Sequence, residues 1–296
     1  SAGEKVDKEI AAKTNGRIII ENMRGDVEII GWQQNKVKVT GSIDDEAENF
    51  IFQDNGNHVE ILVEMPKKRG NKRWKGKGSD LSIYVPIASH IKFAGVSTDV
   101  DVSDINKTVE IHTVSGDIDA KKLASRIELV SVSGHIKTRE VTGKVRLSTV
   151  SGDIDDKASD GSLFLKPISG DIRCQSKAND IATSVVSGDV DLDLARIDDL
   201  AMKSVSGKLN VAMSLNDNAT TKFSSVSGAI NLALEDDVNA SFSINSNAGG
   251  RITNNLTNDK VIKAKYGPSA KLYFEKGDGG ALVKISTLSG RVKISD

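Results

Sequence analysis

Apolar residues return on a fixed schedule along this chain. Glycines at 116, 134, 152, 170 and 188 hold an 18-residue period, which loosens afterwards to Gly207, Gly228 and Gly249. Seven residues before the glycine stand Val109, Ile127, Val145, Leu163, Ile181 and Leu200. Five before it stand Ile111, Leu129, Leu147, Leu165, Thr183 and Met202, and two after it Ile118, Ile136, Ile154, Ile172, Val190 and Leu209. Self-similarity at a fixed period marks a stacked-repeat architecture. The spacing of two between the first columns is a strand period, because side chains alternate between the faces of a strand. The residue two before the glycine is apolar again (Val114, Val132, Val150, Ile168, Val186, Val205), which breaks the alternation and predicts a bend there. The glycine is expected to take a backbone conformation that residues with a Cβ avoid.

Each repeat therefore reads as strand, corner, short strand and return. Stacked copies lie about 4.8 Å apart in parallel, so the apolar columns become inward ladders. Ser115, Ser133, Ser151, Ser169 and Ser187 become a serine ladder at the corner. A left-handed hexapeptide helix also uses about 18 residues per coil, but it wants an apolar residue every six positions, and these columns are not so spaced. The predicted fold is all-β: a single-domain parallel β-helix (β-solenoid), right-handed, with antiparallel capping strands.

The same template fits residues 17–29, with Ile18, Ile20 and Val27 around Gly25, so a first coil stands near the start. It resumes at Ile91, Phe93 and Val100, with Thr98 in the glycine slot. Between these, residues 36–94 read as longer alternating strands that pair antiparallel and cap the stack, since a bare solenoid end exposes unpaired edges. The expected division of one continuous domain is residues 1–94 for the first coil and cap strands, 95–252 for regular coils, and 253–296 for an inserted hairpin and a last coil. The hairpin is placed around Gly267-Pro268.

Composition narrows the function. The 296 residues carry a net charge of −1, which argues against a generic nucleic-acid binder. Aromatic residues are 4%, as suits a core of stacked aliphatics. No segment approaches an uninterrupted apolar transmembrane length. The lone Cys174 cannot form an internal disulfide and reads as a small core or corner residue. The chain begins Ser1-Ala2-Gly3, as a mature form after signal cleavage or a cloning remnant would.

Candidate chemistry is sparse. An aspartate follows the glycine slot at 99, 117, 153, 171 and 189, with His135 and Lys208 interposed, and a second charged column runs Asp101, Asp119, Lys137, Asp155, Arg173, Asp191. Opposite charges on adjacent strands stabilise register, and the bland reading is a solvated face. A calcium ladder is the alternative, but the glycine-rich nonapeptide that supports one is missing. His58, His90, His112 and His135 are scattered without metal-ligand spacing, so no metal and no cofactor are expected. Neighbouring carboxylates arise from repetition alone and carry little information about catalysis. One segment breaks the charge balance: between 67 and 78 stand Lys67, Lys68, Arg69, Lys72, Arg73, Lys75 and Lys77 with Trp74 and no acid. Its bland reading is a solvated loop. Its functional reading is contact with an anionic polymer or lipid headgroup through Lys67, Lys68, Arg69, Lys72, Arg73 and Lys75, with Trp74 at the interface.

The run Asn22-Met23-Arg24-Gly25-Asp26-Val27-Glu28-Ile29-Ile30-Gly31-Trp32, the repeated Val-Ser-Gly-Asp-Ile-Asp and the closing Gly279-Gly280 to Ser289-Gly290 resemble a bacterial family of unknown function that carries an adhesin label. The resemblance covers nearly the whole chain and supplies no catalytic residues. It implies an exported, non-enzymatic protein of the cell envelope, periplasmic, outer-envelope or secreted, that acts as a structural or adhesive β-solenoid. The partners expected are an envelope glycan, an anionic lipid or another envelope protein, and, from the near-neutral charge, no nucleic acid. The alternative is a β-helical lyase or hydrolase acting on acidic polysaccharide, which would need a deep groove crossing several coils with inward-leaning carboxylates.

Overall fold

The computed structural model describes residues 3–67, 71–235 and 237–296. It is all-β, with 24 strands and no helix among the described residues. The chain divides into two compact units, Ser1–Thr149 and Val150–Asp296.

In the first unit the 18-residue period sets the register directly. Val109–Thr113 lies in parallel between the first half of His90–Ile105 and Arg126–Ser131, which pairs in turn with Thr142–Thr149. On the second face Ile118–Leu123 lies between the latter half of His90–Ile105 and Ile136–Arg139. The predicted first coil, Arg17–Trp32, pairs in parallel with His90–Ile105, matching Ile18 to Ile91, Ile20 to Phe93 and Val27 to Val100. The region expected to be wholly antiparallel is not. Val59–Glu64 and Ser79–Pro86 pair in parallel with the outer side of Arg17–Trp32 and form a coil of their own. The antiparallel cap lies one step further out. Asn49–Asp54 pairs with Val59–Glu64, Lys36–Ser42 with Ser79–Pro86, and Lys5–Ala11 with Lys36–Ser42.

The second unit repeats this device at its far end. Beyond Leu209–Ser225 the next strands are Ile230–Leu234 on one face and Ala281–Thr287 on the other. The final strand, Val292–Ser295, sits between Ile230–Leu234 and Ile252–Asn254. Ala281–Thr287 likewise lies between Leu209–Ser225 and Ala240–Ser246. The last coil in sequence is thus not last in space. Closing the edge is Ala270–Lys276, antiparallel to Ala240–Ser246 and joined to Ile262–Lys263 in the hairpin expected around Gly267-Pro268. Phe242 stacks on Phe274 there, ring centroids 4.4 Å apart.

The columns seven and five before the glycine and two after it are buried as predicted. The column two before it is not: Val114, Val132, Val150, Ile168, Val186 and Val205 are each 41–46% exposed and turn outward at the corner. Ser115, Ser133, Ser169 and Ser206 each lie beside a Val carbonyl of the previous coil, as from Ser169 Oγ to Val150 O at 3.2 Å. An inward column not anticipated, Ile105, Leu123 and Val141, closes the return side in the first unit.

The reason for the glycine also differs from expectation. None of the ladder glycines at 116, 134, 170, 188 and 207 has a positive φ. What they lack is room. A Cβ on Gly134 would lie 1.9 Å from the carbonyl oxygen of Gly116, and one on Gly188 1.8 Å from that of Gly170. Real Cβ atoms cannot approach backbone so closely, so the coils meet here backbone on backbone. Gly188→Ala is expected to destabilise by roughly 1–3 kcal/mol, as forced overpacking does. Its urea midpoint should fall while that of Gly56→Ala, which meets nothing within 4 Å but carries a φ of 95°, shows only local strain. Ile172→Asp would bury an unpaired charge between Ile154 and Val190 and should abolish cooperative folding.

Candidate functional site

The aspartates after the glycine have a structural task. At the corner the Ile172 N–H reaches forward to the carbonyl of Asp189. The N–H of the residue before it, Asp171, must find another acceptor, and it donates to Oδ1 of Asp153 in the previous coil at 2.8 Å. Asp189 N–H does the same to Asp171 at 2.8 Å, and Lys208 N–H to Asp189 at 2.9 Å. In the first unit Asp117 N–H meets Asp99, and His135 N–H meets Asp117, each at 2.8 Å. A backbone donor left without an acceptor is costly, and this column supplies one wherever the slot holds an aspartate.

The second charged column stacks in the predicted register, with Asp119 beside Lys137 in the first unit and Arg173 between Asp155 and Asp191 in the second. Towards the start of the first unit the signs cease to alternate. Glu28, Asp101 and Asp119 stack directly, next to a column of Asp80, Asp26 and Asp99. The Asp101 carboxyl is pushed above the ordinary range by partial desolvation, then by Asp119, Glu28, Asp26 and Asp99. Asp26 is raised by desolvation, then by Asp99 and Asp80.

The basic segment lies between Val59–Glu64 and Ser79–Pro86. Lys68 and Arg69 lie outside the described residues. Lys67, Lys72, Arg73 and Lys75 are exposed and Trp74 is half-buried. Its second half is fixed rather than free. Arg24 makes a paired bond to the buried Asp44 at 2.7 and 2.9 Å and donates to the carbonyls of Lys75 at 2.6 Å and Gly76 at 3.3 Å. Lys77 N–H donates to Asp45 at 2.8 Å and Lys75 N–H to Glu46 at 3.2 Å. Lys67 borders a depression of about 490 Å³ that also takes in Glu21, Glu48 and Glu64. Acidic residues thus hold the backbone of Lys75 and Lys77 and line the depression beside Lys67.

An open groove of about 850 Å³ runs along the outer face of a parallel sheet in the second unit. One wall is a column in strict register: Arg173, Asp191, Asn210, Asn231, Lys293. Beside it runs Gln175, Asp193, Ala212, Ala233, Ser295. Asn231 Nδ2 donates to Asn210 Oδ1 at 2.8 Å, and Asn210 Nδ2 to Asp191 Oδ1 at 2.9 Å. The alanines leave the centre of the floor shallow and uncharged.

Sequence reasoning missed this groove. The 18-residue period carries the column only as far as Asp191, and its last member, Lys293, joins from Val292–Ser295, which pairs out of sequence order. It also missed Asp156, which is fully buried in a slot filled by Cys174, Leu192 and Val211 in other coils. Cys174 Sγ donates to Asp156 at 3.3 Å and the Ser159 hydroxyl donates to the same carboxylate. Ser159 also bonds Ser176 at 2.7 Å. Cys174 is buried as expected, and burial, then Asp156, raises its thiol well above the usual range. The thiol stays protonated, which is unsuited to nucleophilic work.

Two measurements test the carboxylate columns. Asp171→Ala should lower stability by about 0.5–1.5 kcal/mol, the worth of one hydrogen bond, while Asp171→Asn keeps an acceptor oxygen and most of that stability. Equal loss in urea unfolding would exclude the capping role. For Asp101 the sign is the reverse of a paired carboxylate. Its raised pKa means the folded chain holds the proton more tightly, so its contribution to stability falls as pH rises through that value. Asp101→Asn should therefore stabilise at neutral pH by roughly 0.2–1 kcal/mol, the cost of adjacent like charges. The gain should vanish as the pH is lowered into the ordinary carboxylate range.

A "putative cell adhesion protein" from Clostridium sporogenes aligns over 99% of both chains at 15% identity with a TM-score of 0.23. A "putative adhesin" from Bacteroides fragilis aligns over 99% of this chain and 96% of its own at 12% identity with a TM-score of 0.41. No curated protein sequence matches significantly. The Toastrack DUF4097 family model matches residues 15–295, from the first coil through the final strand. The chain is a parallel β-solenoid with antiparallel capping strands and belongs to the Toastrack DUF4097 family.

Proposed function

We propose that this protein is a non-enzymatic, adhesin-like binding solenoid of the cell envelope, exported to the periplasm, outer envelope or medium. The groove of the second unit is its ligand surface. The observation that carries this reading is the polar column at strand spacing, Arg173, Asp191, Asn210, Asn231 and Lys293, beside a floor of Ala212 and Ala233. Side-chain amides and carboxylates offer donors and acceptors in fixed planes. Repeated at about 4.8 Å, they suit an extended, hydroxyl-rich chain such as a glycan. The basic segment offers a second, weaker contact for anionic groups through Lys67, Lys68, Arg69, Lys72, Arg73, Lys75 and Trp74.

A second reading has one specific observation in its favour. The groove crosses several coils and is lined by Asp191 and Asp193 with Lys157 and Arg173, a carboxylate–cation set that a polysaccharide lyase or hydrolase would use. Against it, Asp191 accepts the Asn210 amide and acts as part of the ladder.

The test is binding of neutral and acidic glycans by the full chain at low and high salt, with a parallel turnover assay on acidic polysaccharides. Removing both amides, Asn210→Ala with Asn231→Ala, should weaken glycan binding about tenfold or more, or 1.4 kcal/mol. A variant neutralised at the six basic positions should lose only the salt-sensitive part. Binding that ignores the groove variant would overturn the reading, and product release that stops in Asp191→Asn would establish the enzymatic one.

A further inference from the structure

The outer face of the first unit carries a side-chain cluster that no role above uses. Glu110 and His112 are two apart on Val109–Thr113, so they point to the same side. Glu128 stands directly opposite Glu110 on the next strand, Arg126–Ser131. Nε2 of His112 lies 3.2 Å from a Glu110 oxygen and 3.6 Å from a Glu128 oxygen. One ligand atom from each residue lies within 4.8 Å of the others. The ring nitrogen is sealed from water although much of the side chain is exposed, and it has no hydrogen bond of acceptable geometry despite the close carboxylates. The three ligand atoms lie close enough together for a single ion to reach them all.

We propose that Glu110, His112 and Glu128 form a binding site for a divalent transition-metal ion of the zinc class. A tetrahedral ion with bonds of about 2.0–2.2 Å to nitrogen and oxygen sets its ligands roughly 3.3–3.5 Å apart. The two contacts of His112 straddle that value. One imidazole and two carboxylates complete three positions and leave a fourth open to water or a partner group. The dication would sit against the two carboxylates, which otherwise repel across adjacent strands. Lys92 is paired in register with Glu110 and Arg146 with Glu128, so the column runs cation, carboxylate, carboxylate, cation. The ion takes the middle, where like charges meet. Calcium, which wants six to eight oxygens at longer distances, does not fit a three-ligand set with a nitrogen donor. The scattered histidines gave no local metal spacing because the third ligand comes from the next coil, 18 residues on.

The experiment is calorimetric titration of the chelator-treated full chain with zinc, and separately with calcium, followed by nitrogen NMR of the imidazoles. One zinc per chain is expected, with a shift at the His112 ring and a melting temperature that rises on zinc addition. Loss of an outer-shell partner alone costs about 10–100-fold in metal affinity, so His112→Ala, Glu110→Gln and Glu128→Gln should each weaken binding at least about tenfold. His112→Gln serves if the alanine variant does not fold, and His135→Ala should leave binding unchanged. No saturable zinc binding would overturn the site, as would binding that survives loss of His112 or calcium binding of equal strength. A His112 imidazolium that ignores zinc would show a simple ion-pair triad in its place.

Discussion

Everything in this fold depends on how closely two backbones can approach at one corner. Where Gly188 lies over Gly170, a single methyl group would land 1.8 Å from a carbonyl oxygen. Backbone hydrogen bonds set the strand spacing, glycine alone tolerates it at this corner, and the spacing fixes everything set on it. Ile172 meets Ile154 and Val190, Asp171 reaches the N–H of Asp189, and Asn231 reaches Asn210. Hydrophobic burial supplies the drive, but a stack of aliphatic ladders alone could slip. The corner, with its glycine and its carboxylate acceptor, holds each coil to one register.

The same constraint makes the surface a set of columns rather than patches. Any polar residue repeated at one slot becomes a line of side chains, and its chemistry follows from what alternates along it. Where signs alternate, as around Arg173, the column supports the fold. Where they do not, as at Glu28, Asp101 and Asp119, desolvation and mutual repulsion raise a pKa. Where amides replace charges, as at Asn210 and Asn231, the column becomes a surface with bonding capacity and little net field. The groove and the Glu110–His112–Glu128 cluster are two products of this rule.

The inward columns, the parallel register and the terminal hairpin were legible in the sequence, because an 18-residue period leaves few alternatives. The misread features share a physical cause. Periodicity reports that Val114 and Val132 recur, but at a bend recurrence does not say which way a side chain points. A recurring glycine suggests an unusual backbone conformation, whereas the neighbour that excludes a Cβ belongs to another coil. The Glu110–His112–Glu128 cluster was in principle readable, since Glu110 and Glu128 occupy the same slot, but only if histidines are compared between coils. Lys293 could not be placed beside Asn231 at all, because that adjacency depends on strands stacking out of sequence order.

That departure from sequence order has a consequence for assembly. The coil at Arg17–Trp32 lies between strands made later, and Ala281–Thr287 between strands made earlier. Stacking cannot simply follow synthesis. Until residues 281–295 arrive, Leu209–Ser225 and Ala240–Ser246 lack the strand that joins them, and the edges meant for it stay unpaired. The inserted segment then gains two partners in one step, so the end of the second unit closes all at once and not by fraying inward one coil at a time. A stacked repeat that could otherwise melt from its tip is thereby bolted by its own tail.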